Sequence, residues 1–372
     1  MKNWHRPKHK PASQTRRRRM MTWSLALVLV ASVALPLAGY VFYAPPASAQ
    51  ADDNRVNPRA EYWRAVRESA AGVTTASGPY TTNTLIQGGG ETWREIRNGP
   101  ISTYGAWFLA LVPLAIGLFF MWRGRVRLAE GFSGVTVPRW SVAERTIHWF
   151  TATLFIIMAI TGLSLLFGRR VLIPVMGPEG FAWWAQWAKD LHNYLGPFFT
   201  IGVVLMVVSW IRDNIPARVD WQWFRQGGGI VGAKHPSAGR MNGGEKAWFW
   251  IICTVGMATI VSGLVLDFPI FGQSRETMQI ANVVHGVCSI VWIGVFFGHV
   301  YIGTLGMEGS IEAMTRGRVD VNWAEQHHDL WYHKVADKQS AAAPGGREAG
   351  DPAAPTDSIL RRHYESARQR PT

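Results

Sequence analysis

The chain has 372 residues, of which 48% are hydrophobic and only 17% are charged. Soluble domains carry about 25% charged residues, so this composition favours a membrane protein. The formal net charge is +13, and the two cysteines form neither a C-x-x-C motif nor a four-cysteine set, which argues against iron–sulfur clusters, covalently attached heme and structural zinc in this chain.

The N-terminal segment, residues 1–49, has the pattern of a secretory signal. Four consecutive arginines at 16–19 precede an apolar stretch at 22–43, and the segment ends in Ala-Ser-Ala at 47–49. A basic start, an apolar middle and an A-x-A end are typical of signal peptides, and the apolar stretch is long enough to span a membrane if it is retained. We therefore expect a signal peptide or an N-terminal anchor, followed by a polar periplasmic segment at 50–103.

Five further apolar runs follow, and each is close to the roughly 20 residues that a spanning helix needs. The runs cover residues 104–122, 146–167, 192–211, 247–266 and 283–305. The predicted fold class is all-α and integral to the membrane, with a four-helix transmembrane bundle inside residues 138–335 and one extra transmembrane helix at 104–122 before it. Residues 336–372 are rich in Ala, Gly, Pro and charge, which predicts a disordered tail.

Basic residues predict the orientation of these helices. Lys and Arg concentrate after the first run, before residue 247 and after residue 305. Such loops face the cytoplasm in multi-pass proteins, so we expect a bacterial inner-membrane protein with a cytoplasmic C-terminus. The pair Arg169-Arg170 is an exception on the predicted outer side. Because the basic residues are spread along membrane edges, nucleic acid is not predicted as a partner.

Four of the eleven histidines lie within or at the edge of the predicted helices. His285 and His299 share one helix and are 14 residues apart, so both face the same way and lie about 21 Å apart along the axis. His192 opens its helix from the periplasmic side, at the depth of His285. His148 opens its helix from the cytoplasmic side, at the depth of His299.

These depths predict two cross-helix pairs, His192 with His285 and His148 with His299. Two imidazoles fill both axial positions of a heme iron, which then carries electrons, so the pairs predict two b-type hemes, with the four histidines as ligands of the iron. For any one histidine, the alternative is an interfacial side chain with a local hydrogen bond. Glycines on these helices either leave room for a flat porphyrin or serve close helix packing. They are Gly162, Gly196, Gly202, Gly263, Gly286, Gly294 and Gly298.

Short motifs give the region at 138–335 a family resemblance. In chain order they are Glu144-Arg145-Thr146-Ile147-His148-Trp149, Leu191-His192, Asp213-Asn214-Ile215-Pro216, Met241-Asn242-Gly243-Gly244-Glu245-Lys246, Val284-His285-Gly286 and Gly298-His299-Val300-Tyr301. With this order and spacing, the chain resembles the cytochrome b (gamma) subunit of membrane-bound, quinone-linked formate dehydrogenases. The segment at 87–100 resembles an N-terminal extension found in a longer subgroup.

The resemblance implies an electron-transfer and quinone-reducing subunit, with no catalytic residue for formate oxidation in this chain. It assigns the outer heme b to His192 and His285, the inner heme b to His148 and His299, and a quinone site beside the inner heme to Asn242 and Gly244. An iron–sulfur beta subunit and a molybdopterin alpha subunit, which oxidises formate, are the implied partners, and the complex could form a higher oligomer.

Two other functions remain open from the sequence. The same cytochrome could serve an uptake hydrogenase, or the chain could be a membrane anchor or transporter without redox activity. Beyond the last apolar run, His327, His328 and His333 could hold a metal, but an amphipathic tail with Trp323 and Trp331 at the lipid headgroups is the favoured interpretation.

Overall fold

The computed structural model describes Arg64 and residues 72–73, 84–86, 88–231 and 235–342. The predicted signal or anchor segment at 1–49 therefore lies outside the described residues, as do most of the polar segment and most of the tail. Strand β1 (Gly72–Val73) pairs antiparallel with β2 (Thr84–Ile86) ahead of the first long helix.

The first long helix begins earlier than its apolar run. Helix α1 (Gly88–Ile96) continues through a π-helical turn at Arg97–Ile101 into α2 (Ser102–Arg123). Pro100 lies inside that turn, and because proline has no N–H to donate to the preceding turn, the backbone widens there. The apolar span as a whole covers Thr92–Arg123, so the predicted boundary at residue 104 falls within a continuous helix.

Four more spans follow this one. Their elements are α3 (Val142–Val171), α4 (Ile173–Trp210), α6 (Gly243–Ile251) joined by a π turn at Ile252–Gly256 to α7 (Met257–Asp267), and α8 (Arg275–Tyr301) with a π turn at Ile302–Gly306. Among the described residues, five helices are thus long and apolar enough to cross a membrane. This confirms the predicted all-α integral membrane class.

Side-chain caps determine where three of the spans begin. Ser141 accepts a hydrogen bond from the backbone N–H of Glu144, Asn242 from that of Glu245, and Ser274 from that of Thr277. In the first two, the glutamate also accepts from the backbone N–H of the cap residue, so each forms a capping box. Such caps satisfy N–H groups that a helix start leaves without partners.

The membrane core is aromatic at its centre and closely packed at its edge. Trp292 on α8 contacts Phe155 on α3 and Phe199 on α4, with ring centroids 5.1 and 5.6 Å apart. The added span α2 packs against α8, where a Cβ on Gly105 would lie 2.6 Å from Ile290 Cδ1. The absence of a side chain at position 105 thus allows this close approach without displacing the end of the Ile290 side chain.

A second core closes the end of the bundle where α3 begins and α8 ends. Strand β3 (Thr136–Pro138) pairs antiparallel with β4 (Arg318–Asp320), and the short helix α9 (Ile311–Arg316) contacts β4. The short helix α5 (Arg218–Arg225) packs against the start of α6. Helix α10 (Val321–Ala342) follows β4 and bends at His328, whose φ is −148° and ψ is 48°. We name these elements, with the connecting segment at 124–141, the inner cap.

The inner cap corrects one expectation from the sequence. Trp323 is only 4% exposed and His328 only 1%, so this segment is a packed part of the protein and not an amphipathic tail at the lipid headgroups. Helix α10 also continues to Ala342, past the predicted start of the disordered tail at 336. Among the described residues, no group of three or more His, Cys, Asp or Glu side chains could hold a metal ion.

Candidate heme and quinone sites

The outer histidine pair joins the third and fifth spans. The imidazole rings of His192 on α4 and His285 on α8 have centroids 6.1 Å apart and lie at 82° to each other. Two imidazoles on one metal, each bound at about 2 Å, hold their centroids roughly 6 Å apart. The pair therefore has the separation that an iron between its two nitrogens requires.

Hydrogen bonds from the neighbouring helices fix the tautomer of both outer histidines. Thr161 Oγ1 donates to Ile157 O at 2.8 Å, so it accepts from Nδ1 of His192, also at 2.8 Å. His285 Nδ1 lies 2.9 Å from Thr259 O, a carbonyl that can only accept. Both rings thus carry their proton on Nδ1, which leaves Nε2 as the metal-binding atom.

The inner pair has the same separation but different neighbours. His148 on α3 and His299 on α8 have ring centroids 6.2 Å apart at 50°. Nδ1 of His148 is buried and has no hydrogen-bond partner among the described residues. His299 stacks on Trp248 of α6, with centroids 4.8 Å apart and planes only 11° apart. Packing against the indole thus orients the His299 ring.

A cavity of about 320 Å³ surrounds the outer pair, and its walls come from all five spans. Glycines face both histidines: a Cβ on Gly162 would lie 3.1 Å from His192 Cε1, and one on Gly263 would lie 3.0 Å from His285 Cε1. A Cβ on Gly298, next to His299, would meet nothing within 4 Å. Gly162 and Gly263 thus make room for the imidazole rings, and the cavity beside the paired histidines leaves space for a porphyrin, so the residues present suit heme b.

The two pairs are separated by the aromatic centre of the bundle. Trp292 lies midway between His285 and His299 on α8, two turns from each. Its contacts with Phe155 and Phe199 fill the space between the pairs. The structure therefore contains two distinct histidine sites at different depths, not one shared site.

The predicted quinone residues lie at the start of α6. Asn242 is the N-cap residue, and its Oδ1 accepts from Glu245 N at 3.0 Å, which leaves the amide nitrogen as its donor group. A Cβ on Gly244 would lie 3.0 Å from Trp223 Cη2, so the glycine lets α5 pack against this loop. Helix α6 connects the loop of Asn242 and Gly244 to the inner histidine pair, because Trp248 on this helix stacks on His299.

Buried charges surround this loop on the inner-cap side. Arg139 donates to Glu245 Oε1 at 3.3 Å and to Arg240 O at 2.9 Å, and burial lowers the pKa of its guanidinium. His328 donates from Nδ1 to Gly239 O at 2.8 Å, and its Nε2 faces Arg139 at 3.1 Å. Burial and the nearby Arg139 cation hold the pKa of His328 well below its usual range, so the ring is neutral.

A buried ion pair lies behind the same loop. Lys246 Nζ donates to Asp220 Oδ2 at 2.8 Å, and only about a tenth of either side chain is exposed. His327, one residue before His328, is also buried, and its pKa is lowered to about 3, chiefly by burial. Around this loop, His327 and His328 are thus uncharged, and Lys246 is paired with Asp220.

Three contacts of the histidine sites had no signal in the sequence. Thr161 and Thr259 are ordinary threonines in apolar helices, and such residues usually bond only to the preceding turn of their own helix. Trp248 is one of 19 tryptophans, with nothing to distinguish it from an interfacial residue. The helix pairing that brings each of them to a histidine is visible only in three dimensions.

Comparisons with known proteins agree with this architecture. The family model described as prokaryotic cytochrome b561 matches residues 139–317. The chain is 31% identical over 204 residues to the cytochrome b556(fdo) subunit of formate dehydrogenase from Escherichia coli (strain K12). The aligned region covers 54% of this chain and 93% of that protein. It is 26% identical over 205 residues to the cytochrome b556(Fdn) subunit of the nitrate-inducible formate dehydrogenase of the same strain, covering 54% of this chain and 91% of that protein. It is 25% identical over 207 residues to a formate dehydrogenase cytochrome b556 subunit from Haemophilus influenzae, covering 53% of this chain and 83% of that protein.

Proposed function

This chain belongs to the family of formate dehydrogenase cytochrome b subunits, and we propose that it transfers electrons from a periplasmic iron–sulfur subunit to quinone at the cytoplasmic side. It is a multi-pass membrane protein of the cytochrome b561 type, and membership implies heme b. The proposal adds the number of hemes, the residues that hold them and the direction of transfer.

One observation carries the proposal: histidines from three spans meet as two pairs at different depths. The ring centroids are 6.1 Å apart in the pair His192–His285 and 6.2 Å apart in the pair His148–His299. Heme b bound at each pair would supply one-electron transfer. Because both histidines of each pair would hold the iron, neither site would bind a substrate directly, and each would supply electron transfer alone.

The residues of this chain have separate tasks in the proposed function. Thr161 and Thr259 orient the outer histidines through their Nδ1 protons, and Trp248 orients His299 by stacking. The Asn242 amide donates to a quinone carbonyl near His299. Quinone reduction there takes protons from the cytoplasm while formate is oxidised on the other side, so turnover contributes to a proton motive force.

The partners follow from what this chain lacks. It has no cluster cysteines, and its described residues include no group of three or more His, Cys, Asp or Glu side chains that could hold a metal ion. In this proposal an iron–sulfur beta subunit delivers the electrons and a molybdopterin alpha subunit oxidises formate, as the kinship with formate dehydrogenase cytochrome b subunits implies. The iron–sulfur subunit would contact the end of the bundle where His192 and His285 lie.

The test is a heme count and a donor assay on the complex purified from membranes. We expect two hemes b per chain, reduction of both by formate, and reoxidation by quinone. His285→Ala should lose the outer heme alone, whereas His333→Ala, a histidine outside the spans, should keep both. A complex with one heme or none would contradict the two-site proposal, and a complex reduced by hydrogen but not by formate would reassign the donor to a hydrogenase.

A further inference from the structure

A cationic side chain from the added first span reaches the outer cavity. Arg97 is half-buried in the π-helical turn between α1 and α2, and it lines the cavity that surrounds His192 and His285. Among the described residues that line this cavity, it carries the one permanent positive charge. Arg97 lies outside the region that the cytochrome b561 model matches, so the resemblance to relatives assigns it no role.

The hydrogen bonds of Arg97 do not neutralise its charge. Its two terminal nitrogens donate to Asn98 Oδ1 at 3.0 Å and to Leu165 O at 3.3 Å, and neither acceptor is charged. An arginine near the end of a span commonly extends to the lipid headgroups. Arg97 instead turns toward α3, where Leu165 lies one turn beyond Thr161, the partner of His192.

A second contact keeps this part of the first span against the outer site. Trp93 Nε1, one turn before Arg97, donates to Asn282 Oδ1 at 3.2 Å. Asn282 lines the same cavity and precedes His285 by one turn on α8. The π turn and this anchor together hold the guanidinium at the cavity, and π turns of this kind often occur at functional sites.

Heme b carries two propionate groups, which are negatively charged carboxylates. Burying a carboxylate near the membrane is costly unless a cation or several donors compensate for it. Asp267 is the one acidic residue among the described residues that line the cavity, so a propionate bound there would gain from the positive charge of Arg97. We propose that Arg97 binds a propionate of the outer heme, so that the added first span completes a site otherwise built by the four-helix bundle.

This inference rests on the proposed function, because it requires a heme at the outer pair. It also assigns a purpose to the first span, since that span then contributes to the cofactor and not only to anchoring. A cation beside a heme favours the reduced iron over the more positive oxidised iron. Arg97 should therefore raise the potential of the outer heme and make it a better electron acceptor.

The experiment compares redox titrations of the full complex carrying Arg97→Gln, Arg97→Lys or Arg169→Gln. Arg169 is an exposed arginine at the same end of the bundle and does not line the cavity, so its variant controls for the loss of one positive charge. The outer heme is identified as the spectral component that His285→Ala removes. The measured quantities are heme per chain and the midpoint potential of each heme.

Arg97→Gln should lower the ratio of reduced to oxidised outer heme at a fixed potential by about tenfold, which is about 59 mV for a one-electron couple. Loss of the outer heme alone would also support the inference, because the retained inner heme shows that the protein is folded. In Arg97→Lys, the ratio of reduced to oxidised outer heme should stay within about threefold of the native value. In Arg169→Gln, this ratio should equal the native value.

Two results would overturn the inference while leaving the proposed function intact. In the first, the native complex contains two hemes, and the midpoint potential of the outer heme is the same in Arg97→Gln as in Arg169→Gln. The other applies if Arg97→Gln loses both hemes. In that case, a tenfold lower ratio of reduced to oxidised outer heme in Arg97→Lys, which keeps the positive charge, would overturn the inference. A native complex without an outer heme would instead refute the proposed function itself.

Discussion

At the scale of single residues, the orientation of a proposed heme ligand depends on one threonine hydroxyl. Thr161 accepts from His192 Nδ1 at 2.8 Å, so Thr161→Val should leave the ring without this partner. Loss of such a contact typically weakens metal binding by about 10–100-fold. We expect at least tenfold faster loss of the outer heme from purified protein on dilution into a heme scavenger, with the inner heme unaffected.

A matched control for this change lies one turn along the same helix. Ser164 Oγ donates to Ile160 O at 2.7 Å, so Ser164→Ala also removes a hydroxyl from α3 but leaves His192 oriented. Equal rates of outer heme loss in Thr161→Val and Ser164→Ala would contradict the role assigned to Thr161.

Asn242 has two tasks that one substitution can separate. Its side-chain oxygen caps α6, and its amide N–H is the proposed donor to quinone. Aspartate caps helices about as well as asparagine but has no amide hydrogen. Asn242→Asp should therefore keep both hemes and the heat stability of the protein while lowering the rate of quinone reduction about tenfold.

Asn242→Ala completes that comparison, because it removes both the cap and the donor. It should lower the rate similarly and also destabilise the protein by about 1 kcal/mol, measured as an earlier heat-induced loss of heme absorbance. If Asn242→Asp reduces quinone at the native rate, this residue does not bind quinone.

Sequence alone could predict how the four histidines pair, because their spacing and their depth in the membrane are properties of regular helices. A separation of 14 residues places His285 and His299 on one face, and apolar runs set the depth of His148 and His192. The contacts that orient the rings could not be predicted in the same way. They depend on which helices are neighbours and on their rotation, and neither is encoded in the hydropathy of a single segment.

At the scale of helices, the first span is attached by close packing rather than by loops alone. Gly105 on α2 leaves room for Ile290 on α8, where a Cβ would lie 2.6 Å from the isoleucine. Gly105→Leu should push the helices apart and destabilise the protein by about 1–3 kcal/mol, as overpacking commonly does. Heat-induced loss of the outer heme spectrum measures this effect.

Gly117 provides the control on the same helix. A Cβ there would meet nothing within 4 Å, so Gly117→Leu makes the same chemical change without a clash. It should leave the midpoint of heat-induced heme loss unchanged. An equal loss of stability in both variants would show that the tight packing at Gly105 is not the cause.

The boundaries of this first span also show where hydropathy stops being informative. Residues 92–101 include polar and charged side chains, so the apolar pattern predicts a start at 104, yet the helix begins at Gly88. Trp93 explains the difference, because its hydrogen bond to Asn282 anchors α1 on α8. Likewise, β3 pairs with β4, which follows it by about 180 residues, and no local pattern predicts a pairing across that distance.

At the scale of the whole molecule, the number of described spans determines whether the segments before the first span and after the last span lie on the same side of the membrane. Five spans place residues before Thr92 and after Gly306 on opposite sides of a membrane. The inner cap carries many of the basic residues, including Arg125, Arg127, Arg139, Arg218, Arg225, Arg316 and Arg318. Positively charged segments remain on the cytoplasmic side, so the inner cap should face the cytoplasm.

Cysteine labelling in spheroplasts tests this orientation. In a variant whose Cys253 and Cys288 are replaced by alanine, single cysteines are placed at Ile270, between the last two spans, and at Leu330 in the inner cap; these side chains are 78% and 42% exposed. A membrane-impermeant maleimide should label Ile270→Cys in intact spheroplasts and Leu330→Cys only after lysis. The reverse pattern would place His148, His299 and Asn242 on the periplasmic side, and quinone reduction would then take no protons from the cytoplasm.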